Sequence, residues 1–211
     1  MHHESVLTGY GLSLLPLAPH HAEGLFDFVD AAMWAGMAAP LPATVQELSG
    51  LFAARIQDPA SMAFAVTDQR TGALLGTTAL NAFEAAQQRV EVGGTFFGRQ
   101  FWGTHVNPAS KHALLAFAFG VLQVQRVAFR CDARNVRSAA AIERLGATFE
   151  GVLRSHRNAP DGTRADSAVF SILGHEWPAV QRQLQHRLEP FALAGDHSGG
   201  TDHARRTFAA L

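Results

Sequence analysis

Residues Gly98–Ser110 read GRQFWGTHVNPAS and join two segments of different character. The preceding segment, Arg89–Phe97, has the β-branched and aromatic residues typical of a strand, and the apolar run from Pro108 is long enough for a buried helix. The start of a helix offers unpaired backbone N–H groups and a positive dipole end, which favour an anion, above all a phosphate. Gly103 lets the backbone approach such a group closely. The stretch therefore predicts a strand–corner–helix unit with an anion site.

Two familiar phosphate-binding motifs are absent from the chain. No GxxxxGK[ST] is present, which excludes a nucleoside-triphosphate P-loop, and no G-x-G-x-x-G is present, which disfavours a dinucleotide fold. An ordinary strand-to-helix turn with a polar cap explains the same residues. Spacing alone therefore leaves both interpretations of the corner open.

The composition indicates one soluble globular domain. The chain has 211 residues, 47% of them hydrophobic, with 17 basic against 18 acidic residues. Without a basic stripe there is no electrostatic case for nucleic acid. Cys131 is the single cysteine, the N-terminus lacks a signal-peptide pattern, and the longest apolar run, Ala113–Leu122, is too short for a membrane span. We therefore expect a cytoplasmic protein without an internal disulfide or a membrane partner.

The histidines do not predict a metal site. Eleven are present, but they are scattered, no HExxH occurs, and no second cysteine is available as a ligand. We therefore expect no metal.

Periodicity and turn residues predict a mixed architecture, α/β in the α+β sense. The predicted elements are a strand Leu12–Pro16, helices from Pro19 to about Ala32 and from Thr44 to before Pro59, a hairpin Met62–Thr67 and Ala73–Ala79, a strand Arg89–Phe97, a helix Pro108–Leu122, a strand Gln125–Cys131, a helix Asn135–Leu145, a strand pair Phe149–His156 and Arg164–Leu173, and a helix Glu176–Leu188. Such an order favours a mostly antiparallel sheet with helices on both faces. Residues 9–188 are predicted to form the domain, and the glycine-rich, polar residues 189–211 a tail.

Three blocks of sequence carry a family resemblance. QFWGTH, Gln100–His105, resembles the Q/R-x-x-G-x-G/A signature of the GNAT superfamily of N-acetyltransferases, with His105 at the last small position. NVRSAAAIERLGATFEG, Asn135–Gly151, is similar to that superfamily's N-x-x-S…LGF-x-x-EG segment. GTRADSAVFSILGHEW, Gly162–Trp177, resembles its last strand, with Phe170 at the tyrosine position. The same blocks recur in the branch that includes ribosomal-protein N-terminal acetyltransferases.

The resemblance implies acetyl-coenzyme A as the donor and a GNAT-like sheet with a splayed central strand pair. In that fold the strand before the corner splays from the next strand, and pantetheine lies in the gap. By position, the resemblance assigns the backbone of Phe96 and Phe97 to the pantetheine arm, the residues Gln100, Gly103, Thr104, His105, Val106 and Asn107 to the pyrophosphate, and Asn135 to a further coenzyme A contact. It also implies that a homodimer is possible.

Acetyl transfer to an amine requires loss of an amine proton and protonation of the leaving thiolate. The pKa of an α-amine is about 8 and that of lysine about 10.4, so a weak base suffices for an α-amine. Glu91 is the candidate base because family members often carry a working glutamate on this strand. A solvated carboxylate, or one paired with Arg89, is the alternative.

Ser138 is the candidate acid. Ile142 replaces the tyrosine that serves as acid in many superfamily members, and the serine of N-x-x-S is the substitute in the ribosomal-protein branch. The alternative is that Ser138 and Asn135 only cap a helix.

The acceptor pocket in this fold is roofed by the first two helices and their loop. Trp34 is the expected pocket residue there, with core packing as the alternative, and Asp166 is expected to pair with Arg154 rather than face the amine. The predicted function is an acetyl-coenzyme A-dependent N-acetyltransferase acting on a protein N-terminal α-amine or a small-molecule amine by direct attack in a ternary complex. The alternative is a non-catalytic coenzyme A-binding module on the same fold.

Overall fold

The computed structural model describes residues 3–37, 39–159 and 162–192 and contains an eight-stranded sheet. The strand order is β1-β2-β3-β4-β5-β6-β8-β7, and every pairing is antiparallel except the parallel pair β5–β6. The strands are β1 (Leu7–Gly9), β2 (Leu12–Pro16), β3 (Met62–Asp68), β4 (Leu74–Glu84), β5 (Arg89–Phe97), β6 (Arg126–Asp132), β7 (Thr148–Asn158) and β8 (Arg164–Leu173).

Helices cover both faces of the sheet, as the sequence predicts. They are α1 (His21–Leu25), α2 (Ala31–Trp34), α3 (Val45–Gln57), α4 (Val106–Gly120), α5 (Val136–Glu143) and α6 (Trp177–Leu188). One apolar cluster joins the sheet to α4, α5 and α6, and a second joins it to α1, α2 and α3. The predicted mostly antiparallel mixed fold is therefore confirmed.

Alternation along β5 divides its side chains between the two faces. Val90 and Val92 belong to the cluster beneath α4, and an irregular pairing with β4 between Gly93 and Phe96 shifts the alternation, so that Phe96 belongs to the cluster beneath α3. Glu91, between the two valines, therefore points away from α4, to the face that carries α1 to α3.

Local capping begins α3 where the sequence indicates. Thr44 has extended backbone angles, and its hydroxyl accepts a hydrogen bond from the Glu47 amide at 3.1 Å. The Glu47 carboxylate reaches back to the Ala43 amide at 2.7 Å, which is one residue before the position in the standard capping box.

The prediction of one helix from Pro19 to about Ala32 is wrong. α1 ends at Leu25 and a 3-10 turn, Phe26–Phe28, follows. Asp30 then leaves the helical region, and its carboxylate accepts a hydrogen bond from the Met33 amide at 2.8 Å, so it starts α2 as a new helix.

The described structure extends beyond both limits of the predicted domain. β1, which the sequence reading did not assign, pairs with β2 in the register Leu7 to Leu14. A 3-10 turn, Glu189–Phe191, follows α6, and residues 193–211 of the predicted tail lie outside the described residues. In the described part of the chain, no helix is both long and apolar enough to cross a bilayer.

Candidate active site

The central strand pair splays halfway along its length. β5 and β6 pair in parallel from Arg89–Arg126 to Val92–Phe129 and then separate. Beyond this point β5 stays paired with β4 as far as Phe97, while β6 stays paired with β8. A gap therefore opens between two strands whose other edges are both satisfied.

The quoted corner lies at the end of β5, beside the mouth of this gap. Gly103 has a φ of +76°, and a Cβ placed on it would meet nothing within 4 Å. Within the described ranges, the backbone amides of Gly103, His105 and Asn107 donate to no protein group. The corner thus presents free N–H groups at the start of α4.

Neighbouring groups restrict the other predicted cofactor contacts. The Thr104 hydroxyl donates to the Phe101 carbonyl at 2.7 Å and accepts from the Val106 amide at 3.3 Å. The Phe97 carbonyl accepts from the Trp102 indole at 3.0 Å, so a ligand would meet that carbonyl already hydrogen-bonded.

The His105 side chain is occupied by the segment after α6. Its ring stacks on Phe191, with centroids 4.2 Å apart and an interplanar angle of 7°. Burial lowers the pKa of His105, with an opposing effect of Asp68. The imidazole therefore favours its neutral form. Because the ring is stacked on Phe191, the backbone amide is the part of His105 that can bind an anion.

A cavity of about 650 Å³ lies between α2 and the loop that joins β6 to α5. Trp34 lines it from the α2 side, and its indole donates to the carbonyls of Ala39 at 2.8 Å and Pro40 at 3.0 Å. The same ring packs against Phe96 at a centroid distance of 5.6 Å. Trp34 is therefore buried and also lines the cavity, and its role in an acceptor pocket stays a prediction.

The start of α5 forms the opposite wall of the cavity. Asn135 lines it and caps α5 by accepting from the Ser138 amide at 3.0 Å. Burial raises the pKa of the nearby Cys131 thiol, and the Ser138 side chain opposes that shift.

Glu91 is paired with Arg130 and not with Arg89. Its Oε2 lies 2.7 Å from Arg130 Nη2, and its side chain is 20% exposed. Arg130 also approaches His156 Nε2 at 3.3 Å, and Arg89 pairs with Glu84 at 2.7 Å. Among the described residues, none donates to Glu91 Oε1, so one carboxylate oxygen remains for an acceptor.

Sequence reasoning missed Arg55, which lies over the glycine pair of β5. Its Nη1 donates to the Gly94 carbonyl at 3.2 Å, and a Cβ on Gly94 would lie only 2.2 Å from that nitrogen. Gly94 has a φ of +57°. The twin glycines did suggest a close approach, but nothing in the sequence indicates that α3 supplies the approaching group.

Trp102 and two arginines form a second group that the sequence reasoning missed. The Arg137 guanidinium carbon lies 3.4 Å from the Trp102 ring centroid, and that of Arg99 lies 5.2 Å away. Arg99 also makes two 2.7 Å contacts with Asp30, which hold the pKa of that carboxyl well below its usual range. The Asp30–Arg99 pair thus attaches the start of α2 to the corner.

Asp132 of β6 and Arg157 of β7 hold the segment that follows α2. The buried Asp132 carboxylate pairs with Arg157 and Arg134, each at 2.7 Å, and the Arg134 hydrogen bond in particular lowers the pKa of Asp132 to about 2. Arg157 also donates to the Met37 carbonyl at 3.1 Å.

The expected Asp166–Arg154 pair does not form. Asp166 instead accepts from the Ser155 amide at 2.7 Å. Ser155 has a φ of +49° inside β7, and this irregularity brings its amide, rather than a neighbouring side chain, to the carboxylate.

Comparison with known proteins identifies the family. The acetyltransferase (GNAT) domain matches residues 12–148. The chain is 29% identical over 106 residues to the Bacillus subtilis (strain 168) protein named "Putative ribosomal N-acetyltransferase YdaF", covering 50% of this chain and 57% of that protein. It is 26% identical over 114 residues to the Bacillus licheniformis protein named "Uncharacterized N-acetyltransferase p20", covering 54% and 63%. The chain thus spans less than two thirds of the length of these curated relatives.

Solved structures agree with this match. A GCN5-related N-acetyltransferase from Brucella melitensis superposes with a TM-score of 0.82 at 27% identity, over 94% of this chain and 90% of that one. Mycobacterium smegmatis RimJ, in complex with CoA-disulfide, has the same fold, with a TM-score of 0.71 at 16% identity over 87% and 93%. The chain belongs to the acetyltransferase (GNAT) domain family, and the predicted resemblance is confirmed.

Proposed function

We propose that the protein transfers the acetyl group of acetyl-coenzyme A to a primary amine, a protein N-terminal α-amine or a small-molecule amine. The observation that carries the proposal is the splay of β5 from β6, which opens onto free amides at the start of α4. A gap between strands suits an extended arm, and amides at a helix start suit a pyrophosphate. The coenzyme A-bound RimJ structure of the same fold supports this assignment.

The residues present fit such a molecule. The amides of Gly103, His105 and Asn107 would hold the pyrophosphate, with Gln100, Thr104 and Val106 beside them, and the Phe96 and Phe97 backbone would border the pantetheine arm. Asn135, on the opposite wall, would contact the same arm. Acetyl-coenzyme A supplies an activated acetyl group on a thiol leaving group.

Glu91 and Ser138 carry out the two proton transfers of the reaction. In a ternary complex, the amine nitrogen forms a bond to the acetyl carbon and the carbon–sulfur bond breaks. Glu91 takes the amine proton, directly or through a water, on the carboxylate oxygen that Arg130 leaves free. Ser138 protonates the departing thiolate from the first turn of α5, where its side chain lies near Cys131.

Two further expectations accompany this function. A cytoplasmic location follows from the single cysteine. A homodimer is the arrangement that the family resemblance implies, and sedimentation of the purified chain tests it.

Calorimetric titration with acetyl-coenzyme A tests the corner. We expect the Gly103→Glu variant to bind about 100-fold more weakly or worse, because its carboxylate would oppose phosphate charge and cover the amides. Gly72→Glu is the matched control: Gly72 has a φ of +72°, close to the +76° of Gly103, and both positions are open. No binding by the unmodified protein would overturn the proposal.

Turnover separates the enzyme from a non-catalytic coenzyme A-binding module. Both bind the cofactor, but only the enzyme releases free thiol when an amine is added. Absence of thiol release across a broad amine panel would favour the binding module.

A further inference from the structure

We propose that the acceptor is a small amine of the α-amino acid class, whose carboxylate binds Arg55 while its amine faces Glu91. This inference rests on the proposed acetyl transfer and narrows its acceptor. It concerns a cation that the transfer chemistry itself does not use.

Arg55 is a partly buried cation with no carboxylate partner in the described ranges. Among the described residues, the Arg55 side chain donates one hydrogen bond, to the Gly94 carbonyl, which also accepts from the Thr77 hydroxyl at 2.9 Å. Burial lowers the pKa of the guanidinium, yet arginine stays charged in proteins. A buried charge paired only with a neutral carbonyl is costly, so an anionic ligand is favoured at this position.

Arg55 and Glu91 lie on the same face of β5, over adjacent glycines. A Cβ on Gly93 would lie 2.8 Å from Asn81 Nδ2 and 3.9 Å from Glu91 Oε1, and a Cβ on Gly94 would lie 2.2 Å from Arg55 Nη1. Consecutive Cα atoms are about 3.8 Å apart, so both charged groups border the same two-residue segment of β5. A molecule that carries its amine and its carboxylate on one carbon can lie between the two groups and contact both.

The cofactor does not supply the anion in this arrangement. Its phosphates are assigned to the corner around Gly103, beyond the end of β5, whereas Arg55 contacts the middle of that strand. A protein N-terminus is also a poor match, because the α-carboxyl group of its first residue is tied up in a peptide bond. A free α-amino acid provides both charges.

The first test uses the unmodified chain and measures thiol release from acetyl-coenzyme A. A panel of α-amino acids is compared with the corresponding α-amino acid amides and with simple alkylamines. We expect kcat/KM for the preferred amino acid to exceed that of its amide by about 10- to 100-fold. The amine of the amide loses its proton more readily, so amine ionisation works against this preference and cannot produce it.

The second test changes the cation. Arg55→Met should raise KM for the amino acid by about 10- to 100-fold with a smaller change in kcat, and leave kcat/KM for the amide unchanged. Arg55→Lys should recover part of the preference because it restores the charge. Arg89→Met, on the surface of the same strand and paired only with Glu84, is the control and should change neither substrate.

The outcomes are distinguishable. Equal rates for acid and amide in the unmodified protein overturn the α-amino acid inference and leave acetyl transfer standing. Equal losses on both substrates in Arg55→Met overturn it as well, because Arg55 then only supports the strand. No thiol release with any amine overturns the proposed function and this inference with it.

Discussion

Two cationic side chains contact consecutive residues of β5 from opposite faces, and their surroundings differ. On the α4 side, Lys111 is buried, and its Nζ donates to the Thr78 and Thr95 hydroxyls, each at 2.8 Å. On the α3 side, Arg55 lies over Gly94 at the edge of the gap. Neither has a carboxylate partner in the described part of the chain.

The two side chains differ in whether they can give up their charge. Burial lowers the pKa of Lys111 to about 7, so its amine can become neutral between two hydroxyls. A guanidinium cannot do so. The comparison teaches that a buried lysine can be a structural group, whereas a partly buried arginine on the α3 side of the same strand remains a charge to be matched by a ligand.

Removing the Glu91 carboxylate should have the largest effect. Glu91→Gln should lower kcat about 10²- to 10⁴-fold, the range for loss of a general base. Its kcat should recover partly up to about pH 9, because more of the amine is then neutral. Steady-state kinetics across pH measures this, with Arg89→Gln as control. A loss under about threefold would remove Glu91 from the role of base.

Blocking the approach of Arg55 should have the next largest effect. Gly94→Ala puts a Cβ 2.2 Å from Arg55 Nη1 at a φ of +57°, so the guanidinium must move. We expect about a 100-fold lower kcat/KM for a carboxylate-bearing acceptor and about 1–2 kcal/mol lower stability.

Gly72→Ala is the matched control for that variant. It carries similar strain at a φ of +72° in open space, so it should lose stability and keep its activity. Denaturant titration and kinetics on both variants separate strain from displacement. Equal activity in the two variants would show that the position of Arg55 does not matter.

Replacing the buried Lys111 should have the smallest effect, and only on the free energy of unfolding. The lowered folded-state pKa of Lys111 means that the unfolded chain binds more protons between about pH 7 and 10.5. Stability of the unmodified protein relative to Lys111→Met should therefore rise with pH in that window, by at most ~1.4 kcal/mol per unit.

Denaturant titrations of both proteins from pH 6 to 9 measure this difference. Lys111→Met should equal or exceed the unmodified protein near pH 6, where protonation of the buried amine is most costly. Parallel curves would show that Lys111 keeps its charge when folded, and the contrast with Arg55 would then fail.

Much of the fold was predictable because it follows local patterns. β2, β5 and β8 have the predicted limits, and α3 starts at its predicted cap. The first helix was mispredicted because Asp30 competes with helix continuation by capping a new turn, a choice between two local hydrogen bonds that periodicity does not resolve. β1 is three residues long and owes its existence to pairing with β2.

The site was predictable only where a motif marks it. The corner, Glu91, Asn135 and Trp34 could be named from the sequence, and the structure brings them around one gap and one cavity, although their roles stay predictions. Arg55, Arg130 and Arg137 carry no motif. Their importance lies in what they contact, and those contacts join residues 39 positions apart, as in Arg55–Gly94, or across two strands, as in Glu91–Arg130.

The sequence by itself determined the order of elements from α3 to α6, the glycine-bearing corner and the family. These depend on periodicity, turn chemistry and short motifs, which act between near neighbours. Only the tertiary structure decided that Glu91 pairs with Arg130, that His105 stacks on Phe191, and that Lys111 and Arg55 meet β5 from opposite sides. The physical reason is that burial and charge pairing depend on which distant segments pack together, and packing sums many weak contacts that no short stretch encodes.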